Sequence, residues 1–220
     1  TNEVISYDPA DRLTQACAST SCGQNRINKL EYTYDGVGNR STEVRTTGRT
    51  SVTSTYSYDA ADQLLSVVAG TGTTAYTHDA NGRQTSAGTR SFTWGLDDRL
   101  SSTTSATTTT AYTYDGAGLR LTEATNGTVG TRFTWDTGNE LPMLAAEANA
   151  AGTNQRRYLN RPGSAVSVTG STGTNYFAHD QMGSVTDVLS ATGATQWRYD
   201  YDPFGAARTT TKVASTAADN

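Results

Sequence analysis

The chain has 220 residues, a formal net charge of −4 and a pI near 5.1. That balance excludes the basic stripe with which proteins displace counterions from nucleic acid. No apolar run approaches the length of a membrane span. Only 35% of residues are apolar, yet 12 Tyr, 4 Phe and 3 Trp with so small a net charge argue for an ordered, Thr-rich β protein rather than disorder.

Thr1 opens no signal peptide, having neither a basic start nor an apolar stretch behind it. A start without Met is expected of a piece of a longer polypeptide or of a processed product. The first recognisable unit is Tyr7-Asp8-Pro9-Ala10-Asp11-Arg12-Leu13. It sets a pattern: an aromatic, Asp, two small residues, Gly or Asp, one further residue, then Arg or Leu. Cys17 and Cys22 follow. In a secreted protein they could close a short disulfide loop of modest benefit, and otherwise they are free thiols. The two His lie too far off in sequence to complete a zinc set, so no metal and no cofactor are expected.

The unit returns at Tyr34-Asp35, Tyr58-Asp59, His78-Asp79, Trp94-Gly95, Tyr114-Asp115 and Trp135-Asp136, in steps of 16 to 27 residues. Self-similarity of this kind outranks any local reading. Most units carry a second aromatic two residues earlier: Tyr32, Tyr56, Tyr76, Phe92, Tyr112 and Phe133. Residues i and i+2 of a strand share a face, so each unit puts two rings on one face and a Thr or Ser on the other. The Asp and the glycines behind the second ring are turn chemistry. A second strand follows, as at 41–46, 64–68 and 119–124. Each unit therefore reads as strand, turn, strand. Residues 141–151 are rich in Ala and Glu but read as another hairpin, with a short helix as the alternative. The fold class is all-β: consecutive hairpins paired edge to edge into a curled or spiralling sheet, whose irregular period argues against a tight solenoid.

Later units are less regular: Tyr158-Leu159-Asn160, His179-Asp180 and Tyr201-Asp202. Here the motif is longest. Tyr176-Phe177-Ala178-His179-Asp180-Gln181-Met182-Gly183-Ser184-Val185-Thr186-Asp187 leads through Gly193 to Trp197-Arg198-Tyr199-Asp200-Tyr201-Asp202-Pro203-Phe204-Gly205. With the array before it, this resembles the YD repeats of the RHS family and the ending of the RHS core, over Tyr7 to Gly205. The resemblance implies a large hollow β shell, as in the C subunits of insecticidal toxin complexes, bacterial wall-associated proteins and teneurins. In bacterial toxins of the family the shell encloses a toxin cargo and cuts the chain just before it. Residues 206–220, a Thr- and Ala-rich stretch, lack the Asp- and Pro-rich cleavage segment, so no self-cleavage is expected. The expected organisation is a repeat domain over 1–205 and a polar tail over 206–220.

Sharper chemistry has bland competitors at each residue. His78 and His179 could serve as bases, but each stands where other units have a ring. Ser184 after Gly183 lacks the second glycine of a nucleophile elbow and reads as part of a turn. The turn Asp residues lack the alternating ligands and terminal Glu of a Ca²⁺ loop, and read as caps. The aromatic ladder could stack sugars, although the same rings are needed to hold the sheet. The reading is therefore a non-catalytic wall segment of a secreted or cell-surface bacterial protein. Its partners would be other segments or copies of such a chain, or a toxin cargo. The alternative is an adhesion module that binds glycan or a receptor through its rings.

Overall fold

Each repeat folds as a ring-bearing strand, a tight turn and a second strand, and the turn chemistry decides where the strands stop. The computed structural model describes residues 4–17, 28–138 and 140–213. The described residues divide into two units. One runs to Asp98 and includes Thr103–Thr107; the other comprises Arg99–Ser102 and the chain from Thr108 onward.

The first unit holds β1 (Val4–Tyr7), β2 (Leu13–Cys17), β3 (Lys29–Tyr34), β4 (Arg40–Thr47), β5 (Thr50–Tyr58), β6 (Leu64–Ala69), β7 (Gly72–His78), β8 (Gln84–Ala87) and β9 (Arg90–Trp94). Each pairs antiparallel with the next. β10 (Leu100–Ser105) contributes residues to both units. The second unit holds β11 (Thr108–Tyr114), β12 (Arg120–Thr125), β13 (Thr128–Asp136), β14 (Met143–Ala148), β15 (Asn154–Arg161), β16 (Ser164–Gly170), β17 (Gly173–His179), β18 (Val185–Ser190), β19 (Thr195–Tyr201) and β20 (Ala207–Lys212). These too pair in sequence order, all antiparallel. The described residues contain no helix. Residues 141–151 form β14 and a turn, as the hairpin reading expects.

The stretch read as a polar tail from 206 begins differently. Ala207–Lys212 is β20, laid along β19 with Asp200 opposite Thr209 and Trp197 opposite Lys212. The Asp202 turn returns the chain here as it does in other repeats, and the run Thr209-Thr210-Thr211 is β-branched and suited to a strand.

One irregularity recurs from repeat to repeat. Thr33 faces Thr42, but Tyr34 faces Arg40, which leaves Ser41 over as a β-bulge. The same step occurs at Tyr7, Tyr58, His78, Tyr114, Trp135, Asn160, His179 and Tyr201. A bulge adds one residue to one strand, interrupts the ladder and sharpens the local twist.

Alternation sorts the faces as expected. In β5, Tyr56 and Tyr58 are half-buried while Ser57 is exposed. On the exposed face hydroxyls pair across hairpins: Thr33 with Thr42 at 2.6 Å, Ser57 with Ser66 at 2.7 Å, Thr77 with Ser86 at 2.6 Å and Thr113 with Thr122 at 2.7 Å. Among the described residues each strand of a unit touches only its sequence neighbours, and no strand lies over the rings as a second layer. Buried apolar side chains are accordingly few among the described residues. They are Ala16, Cys17, Leu30 and Tyr32 in the first unit, and Ala146, Ala148 and Val188 in the second. Cys17 ends β2 and is not a free thiol; Cys22 lies outside the described residues.

Two turn glycines, Gly36 one residue after its Asp and Gly118 three residues after its own, should respond differently to a methyl group. Gly118 has φ +87°, and a Cβ there would collide with the Arg99 guanidinium, whereas a Cβ on Gly36 would meet nothing within 4 Å. Gly118→Ala is expected to cost about 1–2 kcal/mol, with Gly36→Ala near neutral. Urea unfolding of both variants checks this, and equal midpoints would contradict it.

Candidate functional site: a rim of capped turns and a row of half-buried rings

The chemistry of the repeats gathers at one rim of the sheet in each unit. There Asp35 accepts backbone N–H groups through Oδ1 from Val37 at 3.0 Å, Gly38 at 2.8 Å and Asn39 at 2.8 Å. Its own N–H donates to the Asn39 carbonyl at 2.8 Å. Asp8, Asp59, Asp79, Asp115, Asp180 and Asp202 build the same cap, each Oδ1 accepting from residues two and four ahead. The residue three ahead is left-handed, which explains Gly or Asp there: Asp11 at φ 57° and Gly183 at 86° are examples. Ser184 is the last N–H donor of the Asp180 cap, at 2.9 Å. Gly95 replaces the Asp in one turn, where the Asp98 N–H donates to the Gly95 carbonyl at 3.2 Å. Asp136 caps Gly138 at 2.9 Å.

The second ring of each pair has a polar tip, and the tip has a fixed target. Tyr34 Oη donates to the Leu13 carbonyl at 2.6 Å, Tyr58 to Arg40 at 3.1 Å, Tyr114 to Leu100 at 2.8 Å and Tyr201 to Val185 at 2.8 Å. Trp94 Nε1 donates to Gln84 and Trp135 Nε1 to Arg120, both at 2.8 Å. Asn160 takes the ring's place in β15 and donates to Leu144 at 2.8 Å. The acceptor is the first residue of the preceding strand in each case but Asn160, whose acceptor Leu144 is the second residue of β14. His179 follows the pattern with a different partner atom. Its Nε2 lies 3.1 Å from Oγ of Ser164, the first residue of β16, and its ring packs edge-on against Phe177. The rule thus accounts for the contact between Ser164 and His179 as a joint between strands.

Sequence reasoning treated the two rings as equivalent and missed this division of labour. The signal was present: Phe occurs at the first position, in Phe92 and Phe133, and at none of the second positions. A second ring needs a donor, which Tyr, Trp and His carry and Phe lacks.

A second set of contacts joins several turns to the next. Arg12 binds Asp8 through Nε at 2.8 Å and reaches the Asp35 carbonyl at 3.3 Å. Asn39 Nδ2 donates to Asp62 at 2.8 Å. Arg83 binds Asp79 at 2.7 Å, the Gly95 carbonyl at 3.2 Å and Asp98 at 2.7 Å. Arg40 lies 4.4 Å from the Tyr56 ring centre and 5.7 Å from that of Tyr32, and Arg120 sits likewise by Tyr112 and Phe133.

These bonds set the local electrostatics. The backbone N–H of Arg12, with its guanidinium and the Ala10 N–H, holds the Asp8 carboxyl below its ordinary value against partial desolvation. For Asp35 and Asp79 desolvation pushes upward and the donors of the turn outweigh it. In the second unit, burial first and then the bond to Glu147 at 2.9 Å push Tyr158 up to about 12.

A concavity lies against the rings of the second unit. It holds about 540 Å³ and is lined by Tyr158, Phe177 and Trp197 together with Arg156, Asn175 and Gln196. Among the described residues no group of three His, Cys, Asp or Glu is placed to hold a metal ion. No helix is long and apolar enough to cross a membrane.

The teneurin YD-shell pattern matches residues 2–137. The chain belongs to the YD-shell family. It is 30% identical over 196 residues to the tRNA3(Ser)-specific nuclease WapA of Bacillus spizizenii, a match that covers 87% of this chain and 8% of that protein. The TcdB2–TccC3–Cdc42 crystal structure aligns with 98% of this YD-shell chain at 16% identity and a TM-score of 0.51. The TcdB2–TccC3 crystal structure does so at 15% identity and 0.50. The chain spans 15% and 16% of those two proteins. The likeness to them is one of fold.

Two outcomes are expected. Tyr34→Phe removes the donor to Leu13 and should cost about 1 kcal/mol in urea unfolding, while Phe92→Tyr at a first-ring position should gain no comparable amount. The depressed Asp carboxyls contribute stability that is present above the unfolded value of 3.8 and is lost as pH falls through their lower folded values. The thermal midpoint should therefore drop on acidification below that value. A midpoint that stays flat there would contradict the caps.

Proposed function

We propose that this chain is a non-catalytic wall segment of a YD-repeat shell from a secreted or cell-surface bacterial protein, with containment or display of a toxin cargo as its task. The observation that carries this reading is the use to which the repeat residues are put. The Asp caps, the ring tips and the arginines of the turns bond neighbouring turns and strands, and the two-ring rows join hairpin to hairpin. Membership in the YD-shell family supports a structural role. The similarity to a nuclease, over 8% of its length, fits a wall attached to a separate activity. Partners under this reading are other segments or copies of a YD-repeat chain and an enclosed cargo. The repeat array extends through β20, so the wall is proposed to continue past Gly205.

A second reading has one observation in its favour. The ring-face cleft combines Tyr158, Phe177 and Trp197 with the amides of Asn175 and Gln196, which is the mixture that stacks and hydrogen-bonds a sugar. A glycan-binding adhesion module would use it.

The two readings part on one pair of variants. On the wall reading Trp94→Ala lowers stability by about 2–3 kcal/mol, and the wild-type chain retains no sugar on an immobilised glycan panel. A sugar bound by the wild type and lost in Trp197→Ala, with the unfolding midpoint unchanged, would replace the wall by the adhesion module.

A further inference from the structure

Two rows of side chains meet at the cleft against the rings of the second unit. Tyr158 faces Val168, and Val168 faces Asn175; two residues along, Phe177 faces Val188, and Val188 faces Trp197. The short side chains of Val168, Asn175 and Val188 lie between larger ones and leave a hollow of about 540 Å³. It crosses from β15 to β19. Four strand spacings are about 19 Å, the span of roughly six residues of extended chain. The polar groups at the cleft are few and unevenly used. Asn175 is half-buried, and its side-chain amide has no bond among the described residues. Arg156 holds Glu147 through one nitrogen at 3.2 Å and is 50% exposed. No acidic side chain lines the cleft, and Lys212 stands 5.6 Å from the Trp197 ring centre.

We propose that this cleft holds an extended peptide segment that carries apolar side chains and an acidic residue. The inference rests on the wall reading and gives the enclosed cargo of that reading a point of attachment. An amide offers a donor and an acceptor side by side, which is what a peptide group of an extended chain needs when it leaves water. Asn175 supplies both at the floor of the cleft. Alternate side chains of an extended segment point the same way, here toward Tyr158, Phe177 and Trp197, and bury apolar surface against them. Arg156, on β15, has further N–H donors for a carboxylate. With Arg156 and Lys212 at hand and no acid in the lining, the charge of the site favours an anionic partner over a cationic one. The rings suit a sugar less well. Trp197 lies under Lys212 and stacks on Tyr199 at 6.4 Å, and Phe177 meets His179 edge-on. A sugar lies flat on a ring face, and the chain itself already uses these rings; an aliphatic side chain packs against a ring edge as well.

The test is fluorescence anisotropy with the whole chain and two dye-labelled, end-capped peptides of alternating leucine and threonine, one with glutamate at each end and one with lysine. The glutamate peptide should bind about five- to tenfold more tightly than the lysine peptide, and Arg156→Gln should erase that preference. Asn175→Ala should weaken binding of both peptides about tenfold, with Asn175→Gln restoring part of it. Val168→Phe fills the hollow and should abolish binding. Circular dichroism of each variant shows whether it remains folded. A wild type that binds neither peptide would overturn the proposal, as would binding that survives unchanged in Asn175→Ala and Val168→Phe. Equal affinity for the two peptides would overturn the part given to Arg156. A sugar that displaces the bound peptide would hand the cleft to a glycan. A wild type that takes up neither peptide nor sugar leaves the wall reading standing, since that reading is tested by Trp94→Ala in the first unit and by the glycan panel.

Discussion

The side-chain cap on the five-residue turn is the constraint from which the other features follow. Three or so N–H groups at the end of a hairpin would otherwise be left to solvent, and one carboxylate gathers them. The cap closes only if the residue three ahead turns left-handed, which selects Gly or Asp at that place. The turn so formed returns the chain one residue out of step, and the extra residue becomes the bulge. Because the ladder is interrupted there, the carbonyl of the strand's first residue is available to another donor. The next ring tip supplies one. Cap, bulge and ring tip are three consequences of one local geometry, which is why they recur together at Tyr34, Tyr58, Tyr114 and Tyr201.

Among the described strands none lies over another as a second layer, so stability has to come from elsewhere than a dry core. The rings here are half-buried, and charged groups lie among them: Arg40 beside Tyr32 and Tyr56, Arg120 beside Tyr112 and Phe133, Glu147 under Tyr158. Half-buried aromatic faces suit guanidinium groups, which are weakly hydrated and planar. The strands are held by many partly shielded contacts of moderate size rather than by a few large buried side chains. That arrangement explains how a chain with so few apolar residues is ordered throughout twenty strands.

Strand positions, faces and capped turns were legible in the sequence because they depend on local patterns: a period of two for the faces, and the short aromatic-Asp motif for the turns. Tyr34 and Asp35 announced both. What the sequence did not disclose depends on neighbours more than a repeat away. The reach of Arg12 to Asp35 and of Asn39 to Asp62 joins residues 23 apart, and no local pattern records it. The strand at Ala207–Lys212 was read as a tail because it contains no ring, and a second strand needs none. The uneven steps between units also become intelligible. All alignment takes place at the capped rim, so hairpins at the other rim can be long, as between β4 and β5, or short, as between β8 and β9, without disturbing the joints.

Because every strand in a unit rests on its sequence neighbours alone, the order of the chain is also an order of assembly. Contacts of such short sequence separation close quickly. A hairpin can be completed as soon as its second strand is made, and the ring of the following strand then locks it. Growth from one end, one repeat at a time, needs no distant segment to be waiting. The same connectivity works in reverse under load: a strand drawn from a unit gives up its bonds to its sequence neighbours alone, and the unit yields by peeling, strand by strand.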